Sequence, residues 1–265
     1  MPAIQVSFVI IEFHCPELVR DCVQAIRDQT ANLVHEIIVS SNSEYDEAKR
    51  KKIGQDFPGV KWLFNEKNGG FAYAMNSGLE ISSGETAVLV NPDAKFMTPI
   101  LPAFEYLRDR KEVAVLGPKI IDRHGNIQDS CRRFMTPLDL FFRLMQRFLL
   151  RKDVLLSANF EYDRAQPVDW VIGACMMLRK TALAEVGLLD EKYFFYVEDM
   201  DICRRMWAAG WQVRYFPEWH VEYKGSRKST VFFIRENLFN RMSLIHLRSY
   251  LRFLFKYSFF FYRKF

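Results

Sequence analysis

The sequence predicts an α/β protein built on a largely parallel sheet, and three observations carry that reading. Strand-length apolar runs recur at Val6-Ser7-Phe8-Val9-Ile10-Ile11, Glu36-Ile37-Ile38-Val39 and Ala87-Val88-Leu89-Val90. Between them, apolar residues return at helical spacing, as in Leu18, Val19, Cys22 and Ile26. Turn-forming residues cluster beside these elements, at Asn68-Gly69-Gly70 and Asn91-Pro92-Asp93. Strand and helix in alternation put helices on the faces of a parallel sheet and gather ligand loops at the strands' C-terminal ends.

Each element has its own local reason. The run over residues 6–11 has the length and apolarity of a buried strand, and Pro16, which suits a first helical turn, opens the helix that follows. A second strand over 36–39 leads to a charged helix over 46–53, a short strand over 60–63, and the Asn68-Gly69-Gly70 loop before a helix over 71–81. The strand ending at Val90 runs directly into Asp93. Beyond it the pattern predicts a helix over about 99–110 and a strand over 113–116, then a less regular stretch over 122–164. Within that stretch residues 138–150 are apolar and basic at once, which fits an amphipathic helix capping the core or a flap facing acceptor or membrane.

A chain of 265 residues holds one large domain, or one domain with an appendage, and charge favours the second. From Lys224 onward ten Lys/Arg stand against Glu236 alone, giving +9; with +5 overall, the preceding residues carry −4. The same tail holds nine phenylalanines. Its uncharged runs are about six residues, far below the roughly 20 needed to span a bilayer. The division expected is therefore a domain over 1–229 and a basic, aromatic tail over 230–265. Five cysteines, odd in number and without a C-x-x-C pair, point to reduced thiols in a cytosolic compartment and not to a metal site. The N-terminus has no basic segment, and Glu12 and His14 interrupt its apolar stretch, so no signal peptide is read.

Two acidic clusters carry the chemistry. Asp93 ends a strand, where a carboxylate can hold a divalent cation on a nucleotide's phosphates. In Glu198-Asp199-Met200-Asp201 the acids open a helix-like run, where a carboxylate can take a proton from an attacking hydroxyl. The plain reading of the first is an ordinary turn, and of the second, acids favoured at a helix N-terminus.

Five motifs in order resemble one family: Asn68-Gly69-Gly70-Phe71-Ala72 with Asn76 and Gly78; Asn91-Pro92-Asp93; Val168-Asp169-Trp170-Val171 with Gly173-Ala174; Phe195-Tyr196 with Glu198-Asp199, Asp201 and Arg205; and Ala209-Gly210-Trp211. They resemble the inverting family 2 glycosyltransferases, in particular the bacterial rhamnosyltransferases of O-antigen and related cell-surface polysaccharides. The resemblance runs from about residue 5 to residue 230. It implies a GT-A fold, with a nucleotide-binding half over about 1–95 and an acceptor-binding half over about 96–229. It further implies Asp199 as catalytic base, with Glu198 orienting acceptor or loop, and Asp93 as ligand of Mg²⁺ or Mn²⁺. Donor contacts fall on Ile11, Phe13, Ser41, Asn42, Asn68, Gly69, Asn91 and Asp93, and the acceptor side on Trp170, Gly173 and Glu198.

Three positions depart from the family's pattern. Ser41 stands where an Asp often contacts base or ribose; Glu12-Phe13-His14 replaces a Thr-Tyr-Asn-like triplet; and Tyr223 falls where a histidine often completes the metal site. His220 lies three residues earlier, an odd offset that points to the other face of a strand. In the tail, Arg241, Arg248, Arg252, Lys256 and Arg263 fall within roughly an 80° arc of one helix at about 100° per residue. Such a C-terminal amphipathic helix suits an anionic membrane surface; packing on the core or in a homodimer is the alternative. Nucleic acid is not an expected partner.

The expectation is a metal-dependent inverting glycosyltransferase, peripheral on the cytoplasmic face of the bacterial inner membrane. It would move L-rhamnose from dTDP-L-rhamnose to a lipid-linked or cell-surface glycan. Alternatives are another donor, a UDP-hexose or UDP-galactofuranose, and a catalytically impaired GT-A module serving as a membrane scaffold.

Overall fold

The computed structural model describes residues 3–134, 160–223 and 241–257, and the amphipathic run at 138–150 lies outside them. Four parallel strands form the first half of the central sheet: β1 (Val6–Glu12), β2 (His35–Ser41), β3 (Val60–Phe64) and β4 (Thr86–Val90), in the order β3-β2-β1-β4. Helices α1 (Pro16–Asp28), α2 (Glu47–Asp56) and α3 (Phe71–Glu80) make the crossovers. Pro16 sits in the first turn of α1, and Asp46 caps α2 by accepting from Lys49 N at 2.7 Å. The helix expected over residues 46–53 is therefore present, extended by one turn.

The second half contains the helix expected over about 99–110, the strand expected from 113 and the helix opened by Glu198, together with short strands that single-sequence patterning did not reveal. A short β5 (Ala94–Phe96) follows Asp93, then come α4 (Leu101–Asp109) and β6 (Val113–Ile121), the latter longer than predicted. After β7 (Cys131–Arg132), β8 (Gln166–Pro167) and β9 (Trp170–Val171), β10 (Cys175–Arg179) inserts antiparallel between β4 and β6. Helices α5 (Lys180–Val186) and α6 (Glu198–Ala208) lead to β11 (Gln212–Tyr223), parallel to β6, and α7 (Arg241–Lys256) follows. The sheet order is β3-β2-β1-β4-β10-β6-β11-β5, with β8 against β11. Six of its nine strands share one direction, so the largely parallel α/β reading holds. No element is read from sequence at β10, and its Cys175-Met176-Met177-Leu178 run, buried on both faces, carries no mark of direction.

Strand alternation divides the core into two layers. Phe8 and Ile10 face α1 and α4 with Ile26, Phe104 and Trp219. Val9 faces the other way with Met75, Met176, Ile202, Met206 and Phe253. The second layer includes Phe253 of α7, so the C-terminal helix closes this side of the core. Both layers leave the same rim of the sheet uncovered. There the C-terminal ends of β1, β2, β3 and β4 meet the start of β10, with Val90 opposite Cys175.

Candidate active site

The rim gathers segments far apart in sequence through short backbone bonds. Asn91 N donates to Ala174 O at 2.9 Å, joining the end of β4 to the turn before β10. One residue earlier, Gly173 N donates to Asp199 Oδ2 at 2.8 Å, while Met200 N donates to Asp199 Oδ1 at 2.8 Å. Asp93 and Asp199 are thereby tied to one continuous edge. Gly173 allows this closeness: a Cβ there would lie 3.3 Å from the Cβ of Asp199. Trp170 stands behind the edge, buried, its Nε1 donating to Arg133 O.

The loop ahead of α3 is bound to the same edge. Phe71 N donates to Phe194 O at 2.8 Å, and a Cβ on Gly70, whose φ is +92°, would sit 2.1 Å from that oxygen. Only glycine fits such a backbone at such a distance. Asn42 is buried and fully used: its Nδ2 donates to Asn68 Oδ1 and Gly70 O, and its Oδ1 accepts from Asn65 Nδ2. Asn76, singled out in sequence for its spacing, clamps α3 to a distant loop by bonding both Leu189 backbone groups and Glu191.

At the end of β1 a residue absent from the predicted site does most of the organising. Glu12 is fully buried and its carboxylate accepts from Ser41 Oγ, Ser43 Oγ, Tyr45 OH and Cys15 N. Ser41 is correspondingly inaccessible, its hydroxyl directed to Glu12. A signal was present in sequence: a charged residue directly ending an apolar strand needs partners when buried. Phe13 instead projects outward, about half exposed, with Ile11 half-buried behind it.

Around Asp93 the departures find their geometry. Ala94 pairs with Tyr223 across β5 and β11, and Asn91 Nδ2 donates to Tyr223 OH at 3.1 Å. Burial, together with the charge of Asp93, pushes the Tyr223 phenol up to about 12. Tyr223 therefore occupies the Asp93 side of β11. His220 bonds through its backbone to Thr98 Oγ1 and does not replace it.

The helix bearing Asp199 starts from a strained turn. Tyr196 and Val197 have φ of +69° and +78°, a pairing that β-branched valine rarely adopts and that concentrates at functional sites. Glu198 follows, 4% exposed, and its Oε2 has no hydrogen-bond partner among the described residues. Burial, then the neighbouring charge of Asp199, pushes its carboxyl well above the usual carboxylate range. Asp201, one turn on, is fully buried and accepts from Arg205 Nε at 2.9 Å, Lys256 Nζ at 2.8 Å, Tyr257 OH and Tyr193 OH.

That last contact revises the reading of the tail helix as a free cationic face. Lys256 is drawn inward by Asp190 and Asp201, and Arg252 donates to Lys192 O. The physical cause is the buried Asp201 carboxylate, which needs cations within reach. Arg248 is exposed, whereas Arg263 lies outside the described residues.

A parallel sheet that gathers strand-end loops and two acidic clusters on one rim defines a GT-A glycosyltransferase fold. Likeness in sequence and in shape agrees: residues 7–187 match Glycosyl transferase family 2, and the chain belongs to that family. It is 26% identical over 202 residues to an N-acetylglucosaminyl-diphospho-decaprenol L-rhamnosyltransferase of Mycobacterium tuberculosis, covering 70% of this chain and 65% of that relative's length. It is 23% identical over 231 residues to Rhamnosyltransferase WbbL of Escherichia coli K12, covering 83% of this chain and 82% of the relative. The solved structure of GalNAc-T7 with UDP, GalNAc and Mn²⁺ superposes over 95% of this chain and 48% of its own, with a TM-score of 0.67 at 15% identity.

Proposed function

We propose that the chain is an inverting, metal-dependent glycosyltransferase that moves L-rhamnose from dTDP-L-rhamnose to a lipid-linked or cell-surface glycan. The observation that carries this reading is the hydrogen-bonded edge running from Asn91 through Ala174 and Gly173 to Asp199, which brings the two acidic clusters to one rim. Names of the rhamnosyltransferase relatives support the sugar.

In this reading Asp199 is the catalytic base. Backbone N–H groups of Gly173 and Met200 hold its carboxylate in place, so that an acceptor hydroxyl at the rim meets a fixed proton acceptor. Burial and then the charge of Asp199 favour the protonated form of Glu198, and a protonated carboxyl can donate its O–H toward the acceptor or the loop. Phe13 offers its exposed ring to the nucleobase, and the Asn68-Gly69-Gly70 loop, whose Gly69 and Gly70 amides turn inward to Lys67 O and Asn68 Oδ1, brings bare backbone to the donor in place of the amide cradle that its position before α3 suggested. Ile11 and Asn91 complete the donor side, while Ser41, Asn42 and Glu12 act from behind by fixing the loops. Trp170 and Gly173 shape the acceptor side.

A divalent cation fits this rim as a shared ligand. Among the described residues no group of three or more His, Cys, Asp or Glu is placed to hold a metal alone. Asp93 supplies one hard oxygen ligand beside the neutral Tyr223 phenol, leaving the remaining positions to diphosphate oxygens and water. When bound, Mg²⁺ or Mn²⁺ would neutralise charge on the departing diphosphate.

The domain division proposed is a catalytic unit over 1–229 and a tail over 230–265, whose helix α7 docks one face on that unit and turns its exposed stripe to the cytoplasmic face of the inner membrane. Among the described residues no helix is long and apolar enough to cross a membrane. The test is a donor panel, dTDP-L-rhamnose against UDP-hexoses and UDP-galactofuranose, with lipid extract as acceptor and with or without chelator. Transfer only from dTDP-L-rhamnose, abolished by chelator and by Asp93→Ala, is expected. Transfer from a UDP-sugar alone would reassign the donor, and no turnover of any donor would favour the scaffold reading.

A further inference from the structure

Helix α7 and the turn at residues 191–194 enclose a cleft of about 330 Å³, lined by Lys192, Phe194, Ile245, Arg248, Arg252 and Glu191. We propose that this cleft binds the phosphate of the lipid-linked acceptor, with the lipid chain lying along α7. The inference rests on the glycosyltransferase reading above and names where its acceptor is held.

Three cations face one acid in the cleft. The acid is engaged elsewhere, since Glu191 Oε1 accepts from Asn76. Arg252 is fixed at the cleft by its bond to Lys192 O. The charged heads of Lys192 and Arg248 make no hydrogen bond or ion pair among the described residues. An arginine and a lysine left open beside a positioned arginine are the donors a phosphate uses.

The apolar surface beside the cations selects a lipid over a free anion. Leu244, Leu247, Leu251 and Phe255 are 51%, 42%, 42% and 68% exposed. Their spacing of 3, 4 and 4 places them on one stripe of α7 at about 100° per residue, adjacent to Arg248 and opposite buried Phe253. A phosphate in the cation seam and a hydrocarbon chain on the stripe satisfy both surfaces at once. The cleft is also joined to the segment that leads from Phe194 to Asp199: the Tyr196 ring stacks on His246 of α7 at 4.5 Å, and Ser249 Oγ donates to Phe195 O. A glycan on the anchored phosphate would start beside the loop that carries Asp199.

The test is flotation of the full chain with phosphatidylcholine vesicles containing a long-chain prenyl phosphate. Phosphatidylserine vesicles matched for surface charge, and inorganic diphosphate as competitor, are the other arms. Prenyl phosphate vesicles are expected to bind at least about tenfold more tightly than phosphatidylserine vesicles. Lys192→Gln with Arg248→Gln, both at exposed heads, should lose about thirtyfold on the prenyl phosphate, as two cations near an anionic surface would supply. Leu247→Ser with Leu251→Ser should also weaken it while inorganic diphosphate does not compete. Equal binding to both vesicles would mean a plain anionic-surface contact. Displacement by inorganic diphosphate would mean a free-phosphate site, and wild-type binding by the cation variant would remove the cleft; each overturns the proposal. Binding is read without donor, so a failure to turn over any nucleotide sugar would sink the proposed function and leave this result standing.

Discussion

Two buried carboxylates, one in each half of the molecule, are stabilised in opposite ways. Glu12, at the end of β1, is surrounded by neutral donors: three hydroxyls and one backbone N–H, all within 33 residues of chain. Asp201, in the first turn of α6, is neutralised by Arg205 of its own helix and by Lys256, 55 residues away. The first arrangement stiffens the loops after β1 and β2 through local geometry. The second makes the helix that carries Asp199 depend on the docking of α7. The Glu12 side is thus self-contained, whereas the Asp201 side is completed by the C-terminal helix.

The largest expected effect probes the chemistry proposed for the Asp201-supported helix. Asp199→Asn keeps shape and hydrogen-bond acceptance at one oxygen but removes the proton acceptor, so transfer should fall by roughly 10² to 10⁴ while nucleotide affinity, measured by calorimetry, stays near wild type. Near-normal turnover would dismiss Asp199 as the base.

A smaller effect separates the two carboxylates by stability. Asp201→Asn strands two cations against a neutral amide, and loss of one partner from a buried charged pair costs about 3–5 kcal/mol. Glu12→Gln faces rotatable hydroxyls and one fixed N–H, for which roughly 1–3 kcal/mol is expected. Urea denaturation of the two variants ranks them. If Glu12→Gln is the more damaging, the contrast between a neutral and an ionic solution is wrong.

The smallest effect is a matter of pH and uses a third carboxylate, at the far end of β2. Burial acts to raise Glu36, but bonds from Lys61, Ser7 and Ser83 outweigh it and take it from 4.5 down to about 2. A folded value below the unfolded one means stability that is complete above about 4.5 and is lost as pH falls from there toward 2. Denaturation midpoints of Glu36→Gln should therefore converge on wild type as the pH is lowered through this window. A constant gap between the two proteins down to the acid limit would count against the Glu36 bonds as its source.

How much was legible beforehand differs between the same two halves. Around β1 to β4 nearly every element is readable, because each is a short apolar run with its own punctuation: Pro16 opening α1, Asp46 capping α2, glycines before α3. That the Asn68-Gly69-Gly70 loop and Asp93 share one edge followed from position, since loops after parallel strands must lie at one end, whereas Ile11, Phe13, Ser41 and Asn42 were implied only by the family resemblance. Glu12 escaped notice because its partners, Ser41, Ser43 and Tyr45, become neighbours only when β1 and β2 pair in register. In the second half, β5, β7, β8 and β9 are two or three residues long, too short to leave a periodic trace.

By itself the sequence determined the α/β class, the order of the main elements, and the two acidic clusters with their residue types, since these rest on local periodicity and on the chemistry of single side chains. Only the tertiary structure decided that β10 runs antiparallel, that Gly173 binds Asp199, and that Lys256 belongs to Asp201 and not to solvent. The reason is physical. A buried charge must find its counterpart wherever the packed chain brings one within about 3 Å, and that distance is set by the folding of whole elements against each other, which no spacing along the chain records.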